Sequence, residues 1–219
     1  MDAAAFVRQL QSEMDAVLVK LDDLPVAPAG MDSRAGVIEC LKLALKSELE
    51  ASEMAALWLP TTPELDIKLS LAQQCGDEAR HFTLIQERMH QLGEDASRYN
   101  PVAHGYSPLY HYLRTLRSTV ERLAAGQFAR EGIAQKRNRQ FISYLEQVGD
   151  TGTAEMYRAT VAPEEDLHHL MAVDKLGKYA TTPESQDKAR AAMHRTLELS
   201  DEMRELAALR TGVNAIPAS

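Results

Sequence analysis

Apolar residues return every three or four positions along nearly the whole chain. Phe6, Leu10, Met14, Val17, Leu18 and Leu21 form one stripe, which predicts an amphipathic helix over 3–21. The run Leu24-Pro-Val-Ala-Pro-Ala-Gly30 breaks the pattern and reads as a linker. Helical spacing resumes from Ser33 to Leu59 and is stopped by Pro60. Thr61-Thr62-Pro63 has the look of a cap and first turn for a helix that runs to Leu92, where Gly93 ends it. Residues 94–107 lack periodicity and predict a crossover loop. A third long helix is expected over 108–137, continuing or restarting to 148, and a fourth over 153–179 with Pro163 inside it. Thr181-Thr182-Pro183 repeats the cap pattern and opens a last helix that ends before Gly212. Alternating, strand-like patterning is missing throughout, so the fold class is all-α.

These elements predict one domain over 1–219. An N-terminal helix and linker (1–30) precede a four-helix core (33–179), and a C-terminal helix (183–211) follows. Met193, Leu197, Met203 and Leu206 of that last helix are expected to pack on the bundle or on a second subunit, so a homodimer is open. A chain of 219 residues, 45% of them hydrophobic, can bury a sizeable core. The net charge of −8 argues against nucleic acid and acidic membrane surfaces as partners. No apolar run approaches the ~20 residues of a membrane span. The first residues show no basic-then-apolar signal pattern. Cys40 and Cys75 form no CxxC pair, and a reducing cytoplasm is the expected compartment. With Glu48 and Glu78 at one level of an antiparallel helix pair, the two thiols lie too far apart for a disulfide.

Acids and imidazoles interrupt the apolar stripes at a few positions. Glu-x-x-His puts a carboxylate and an imidazole on one helix face. With 19 Glu and 7 His, less than one such motif is expected by chance, yet three occur: Glu78/His81, Glu87/His90 and Glu165/His168. Glu78 and His81 share a face with Ile67, Leu71, Cys75, Phe82, Ile85 and Met89. Glu87 lies half a turn round, beside Arg80, Thr83 and Gln91, and reads as solvated. Glu48 falls among Leu41, Ala44, Leu45, Ala51 and Ala55, whereas Glu50 sits by Lys46 and Glu53 and reads as surface. Glu131 falls among Val120, Ala124, Gln127 and Phe128, whereas Glu121, near Arg114 and Arg117, reads as a surface ion pair. An acid in an apolar stripe is costly unless it is paired or bound to a cation. Glu48, Glu78, His81, Glu131, Glu165 and His168 are therefore the candidate metal ligands. Glu48 precedes the first motif by 30 residues and Glu131 the second by 34, as in two matching antiparallel hairpins.

Other readings stay open at each position. They are a buried acid–imidazole hydrogen bond for Glu78/His81, an ion pair with an arginine for Glu131, and a partly exposed doublet for Glu165/His168. Glu164 or His169 could replace a ligand of the fourth helix. Cys75 could approach the site from one turn away, though a small core residue is the commoner case. Pro163 is expected to kink the fourth helix just before Glu165. Gly126 and Gly132 remove side-chain bulk near Glu131 and could leave room for an organic substrate.

Over residues 35–178 the pattern resembles the ferritin-like superfamily of non-haem di-iron carboxylate proteins. Within it, Ser47-Glu-Leu-Glu-Ala-Ser-Glu-Met-Ala55 and Asp77-Glu-Ala-Arg-His-Phe-Thr-Leu-Ile-Gln-Glu-Arg-Met89 look most like an uncharacterised bacterial ferritin-like family. They are similar, more distantly, to the tRNA-modifying di-iron monooxygenases. The resemblance implies a ferritin-like four-helix bundle in which the four Glu and two His hold two iron ions, with manganese or a mixed pair as alternatives. It also implies redox chemistry with O2 or peroxide, a small-molecule substrate and an electron donor that the sequence does not identify. Ferroxidase or peroxide-reducing iron handling, and a metal-free helical interaction module, are the rival functions.

Overall fold

The computed structural model describes residues 1–21, 26–27 and 33–213, and helices are its only regular elements among them. Helix α1 (Ala3–Leu18) starts at Asp2, whose carboxylate accepts the Ala5 N–H, and tightens into a 3-10 turn at Val19–Leu21. Phe6, Leu10, Met14, Leu18 and Leu21 are buried, as their spacing predicts. Most of the Leu24–Gly30 linker and the side chain of Leu206 lie outside the described residues.

Helices α2 (Ser33–Trp58) and α3 (Leu65–Gln91) pack along each other as a hairpin. Thr62 does not cap α3. Its hydroxyl donates to the Trp58 carbonyl and closes the end of α2, and Glu64 takes the cap position of α3 without a side-chain bond. Gly93, at φ +80°, ends α3: its N–H reaches the His90 carbonyl and the Glu94 N–H reaches Met89. Gly149 ends the helix that closes at Val148 in the same left-handed conformation.

The third predicted helix is two elements. Helix α4 (Pro108–Leu113) is short, and its Ser107 cap is held by Glu50, which accepts both the backbone N–H (2.7 Å) and the hydroxyl (2.5 Å) of Ser107. Glu50 is thus a structural clamp on the crossover, not a free surface acid. Helix α5 begins at Thr119, where Ser118 and Glu121 form a reciprocal capping box. That box, not an ion pair with Arg114 or Arg117, is the observed role of Glu121. The helix restarts there because Ser118 and Glu121 satisfy the N–H groups that a new first turn leaves orphaned.

Two π-helical stretches were not legible in the sequence. Helix α5 comprises Thr119–Arg122, a π stretch Leu123–Arg130 and Glu131–Val148. Helix α6 comprises Thr151–Met156, a π turn Tyr157–Val161 and Ala162–Tyr179. Each π stretch leads straight into a candidate-ligand turn, at Glu131 and before Glu165. The Ala162 N–H bonds back to the Tyr157 carbonyl, five residues away. Pro163 follows directly, on the first turn of the α-helix beyond, so its missing N–H falls where the bonding pattern changes over. Residues 123–129 are buried all round, because α5 runs through the middle of the molecule against α6 and α7. Helix α7 (Pro183–Val213) opens at the Thr182 cap and passes beyond Gly212, two residues further than its expected end. Its Met193 and Leu197 pack into the core beside α1 and α5.

Candidate metal centre

Two groups of four side chains bring their ligand atoms within 4.8 Å of one another: Glu48, Glu78, His81 and Glu165, and Glu78, Glu131, Glu165 and His168. All six predicted residues are in these groups and all are buried. Glu78 and Glu165 belong to both. Cys75, Glu164 and His169 belong to neither. The Cys75 sulfur packs 3.5 Å from the Ser52 hydroxyl, and both cysteines are free thiols. Burial raises the Cys40 thiol to about 11. Glu87 and His90 are exposed.

Each of the six residues has a buried polar atom without a hydrogen-bond partner: Glu48 Oε2, Glu78 Oε2, His81 Nδ1, Glu131 Oε2, Glu165 Oε2 and His168 Nδ1. An orphaned buried acceptor costs about 1–3 kcal/mol, more when charged. Six such atoms, on residues of two groups that share Glu78 and Glu165, are costly unless protons or a cation meet them. The donor set, carboxylate oxygens and imidazole nitrogens, suits Fe(II) or Mn(II) better than soft metals, so the residues fit a pair of such ions.

The imidazoles are held crosswise. His81 Nε2 lies 2.8 Å from Glu164 of α6, and His168 Nε2 lies 3.1 Å from Asp77 of α3. Each clamp is the residue immediately before the Glu of the opposite motif. A proton on Nε2 donating to the clamp leaves Nδ1 with a lone pair facing the cluster, the form that binds a cation. His81 Nδ1 sits 3.5 Å from both Glu48 and Glu78. Arg80 pairs with Glu164 and steadies the first clamp.

Glu131 has a further arrangement. Its Oε1 accepts from Gln74 Nε2 (2.7 Å) and from Arg130 Nη1 (2.9 Å). The Arg130 guanidinium is also 3.9 Å from Glu78 and is tied to the carbonyl and hydroxyl of Ser47. The arginine partner weighed for Glu131 thus exists, beside an Oε2 that has none. His169 is occupied elsewhere: Nδ1 bonds the Phe128 carbonyl (2.9 Å) and Nε2 meets Gln11 of α1 (3.0 Å).

Electrostatics follow from this crowding. Burial and the neighbouring Glu78 push Glu48 up to about 8. Burial also opposes ionisation of Glu78, but His81, Glu48 and Arg130 outweigh it and hold Glu78 down at about 2. Glu165 is raised well above the ordinary range by burial and by Glu131 and Glu78. Burial disfavours the His81 cation, yet Glu48 and Glu78 overcome it and lift the imidazole to about 10. The cluster therefore retains protons that a cation would displace. Six carboxylates (the four candidate ligands, Asp77 and Glu164) face two guanidinium groups, Arg80 and Arg130. With all six carboxylates ionised and both imidazoles neutral the excess would be four negative charges, the charge of two divalent ions; without a cation the retained protons lower it.

Little room is left beside the glycines. A Cβ on Gly126 would meet the Trp58 ring at 2.7 Å, and one on Gly132 would meet the end of Met14 at 2.7 Å. Gly132 is closely packed, while Gly126 packs on Trp58 and also lines a small cavity. A cavity of about 30 Å³ does touch the centre on the Glu131 side. It runs between Trp58, Met54, Tyr110 and Leu113 to Gln74, Arg130 and Glu131.

No protein-family model matches the chain, and neither does any curated protein or solved structure compared with it. No helix among the described residues is long and apolar enough to cross a membrane.

Proposed function

We propose that the chain is a ferritin-like di-metal oxidoreductase that reacts with O2 or peroxide at two iron ions, with manganese or a mixed pair as the alternative. The observation that carries this reading is the set of six orphaned ligand atoms converging from α2, α3, α5 and α6. Glu48 and His81 would hold one ion and Glu131 and His168 the other, and Glu78 and Glu165 belong to both groups. Bound there, a redox-active pair supplies electrons to an oxidant. The protein orients both imidazoles through Glu164 and Asp77, and buries the centre from bulk water. The two free thiols agree with a reducing cytoplasm as its compartment.

A second reading concerns the substrate. An organic substrate needs space; Met14 fills the position by Gly132, and Gly126 opens only onto the small cavity. A cavity of about 30 Å³ admits a molecule the size of water, O2 or peroxide. That favours oxidation of a bound ion, or reduction of peroxide, over oxygenation of an organic compound. Metal analysis of the purified protein, followed by O2 and peroxide consumption with the Fe(II)-loaded form, tests both readings. Absence of bound metal after loading would return the chain to a metal-free helical module.

A further inference from the structure

We propose that the two metal positions are unequal: the one framed by Glu48, Glu78, His81 and Glu165 binds tightly, and the one framed by Glu78, Glu131, Glu165 and His168 binds weakly and exchanges. The inference rests on the di-metal reading and adds a role for Arg130 and Gln74, which are positioning residues and not ligands.

The terminal carboxylates of the two positions are differently engaged. Glu48 meets His81, itself a candidate ligand, at 3.5 Å. Glu131 is claimed by two donors outside the ligand set, Gln74 at 2.7 Å and Arg130 at 2.9 Å. Neither donor is free to leave. The Gln74 carbonyl accepts from Gln127 Nε2 (3.1 Å), which fixes the amide with its N–H groups toward Glu131. Arg130 is anchored by the Ser47 carbonyl (2.9 Å) and hydroxyl (3.0 Å) on α2. An ion at the second position must share Glu131 with both donors and sits close to a guanidinium cation. At short range inside a protein, like-charge repulsion is screened far less than in water. At the first position the same two groups reach only the shared Glu78, Gln74 at 3.3 Å and Arg130 at 3.9 Å, and no hydrogen bond from either goes to Glu48. The cavity also reaches the centre at Gln74, Arg130 and Glu131, so the weaker position is the one nearest a route for small molecules.

The test uses the full chain stripped of metal by chelation, titrated with Mn(II) by calorimetry and by low-temperature EPR. Two steps are expected, the second about ten- to a hundredfold weaker, from the competition of one charge-assisted hydrogen bond. The first equivalent should give the signal of isolated Mn(II), and the second should convert it to a coupled pair. His81→Ala should remove the tight step and His168→Ala the weak one. Arg130→Met should narrow the gap between the steps. Gln74→Leu, which leaves the Ser47 anchor intact, should narrow it in the same direction if the arginine variant does not fold. Two ions bound with equal affinity by the wild type would overturn the inference, as would an unchanged gap in the folded variants. Failure to bind any Mn(II), Fe(II) or Zn(II) would overturn the di-metal reading itself, a result distinct from two equal sites.

Discussion

Glu48→Gln should make the metal-free protein more stable while weakening its hold on metal. Glu48 is buried and pushed to about 8, against an ordinary value of 4.5. At pH 7 the folded chain keeps this acid protonated, whereas the unfolded chain ionises it. Each unit of pKa difference is worth 1.36 kcal/mol. Over the interval from 4.5 to pH 7, holding that proton costs the fold roughly 3 kcal/mol. A glutamine of the same shape has no charge to forgo. The sign follows: between pH 4.5 and 8 the folded state binds more protons, so wild-type stability without metal falls as pH rises through this window. The gain from the substitution should therefore be near zero at pH 4.5 and about 3 kcal/mol at pH 7. For a domain of this size that is roughly 6–12 °C in Tm. The His81 cation keeps Glu78 as its partner at 3.5 Å, so the variant leaves no unpaired charge behind. With Mn(II) or Fe(II) at a hundred times its Kd, the wild type should gain about 2.7 kcal/mol, and the variant, one carboxylate short, should gain less. Thermal melts of chelated and metal-loaded protein from pH 5 to 7.5 measure both effects. If chelated Glu48→Gln melts no higher than wild type at pH 7, or if its gain is flat across that range, the reasoning about a strained, cation-seeking cluster is wrong.

Glu78→Ala should lose most of its bound metal by elemental analysis, whereas Glu87→Ala, on the exposed face of the same helix, should keep it. Asp150→Ala removes the cap on Thr153 and the partner of Arg88, with bonds of 3.0 and 2.6 Å, and should cost about 2 kcal/mol in urea unfolding at pH 7. Burial opposes ionisation of Asp150, but Thr153 and Arg88 hold its carboxyl below the usual range. Its contribution should thus be present above about pH 4 and fade as pH falls below it, so equal costs at pH 7 and pH 3 would contradict the assignment. Gly126→Ala drives a Cβ into the rigid Trp58 ring and should destabilise by roughly 1–3 kcal/mol, while Gly132→Ala meets only the flexible end of Met14 and should come out near neutral. Denaturation midpoints compare the two glycine variants directly.

Much of this molecule was legible along the chain because helical periodicity is local. Whether Glu48, Glu78 or Glu131 faces inward depends only on its neighbours three and four residues away. The same arithmetic set Glu87 and Glu50 apart from the candidate ligands, although Glu50 turned out to clamp the α4 cap. Gly93 and Gly149 mark helix ends by a backbone conformation that side chains disfavour, which is again a local property. The similar spacing of the two Glu then Glu-x-x-His halves, 30 and 34 residues, suggested that the six residues meet at one level.

What lies across from each residue was decided only by packing. Asp77 drew no reading of its own and Glu164 was weighed as a replacement ligand, yet each holds the imidazole of the opposite helix. That role exists only once α3 and α6 lie side by side. Arg130 was adjacent to Glu131 in plain view, but α-helical geometry turns successive residues about 100° apart, so their pairing could not be expected from sequence. The π stretches at Leu123–Arg130 and Tyr157–Val161 shift that angular register, and no local propensity announces them. The space beside Gly126 and Gly132 was open in a one-dimensional reading and is narrowed in three dimensions, because Trp58 and Met14 come from distant helices. Periodicity gives the direction in which a side chain points; only the assembled helices supply the groups that meet it there.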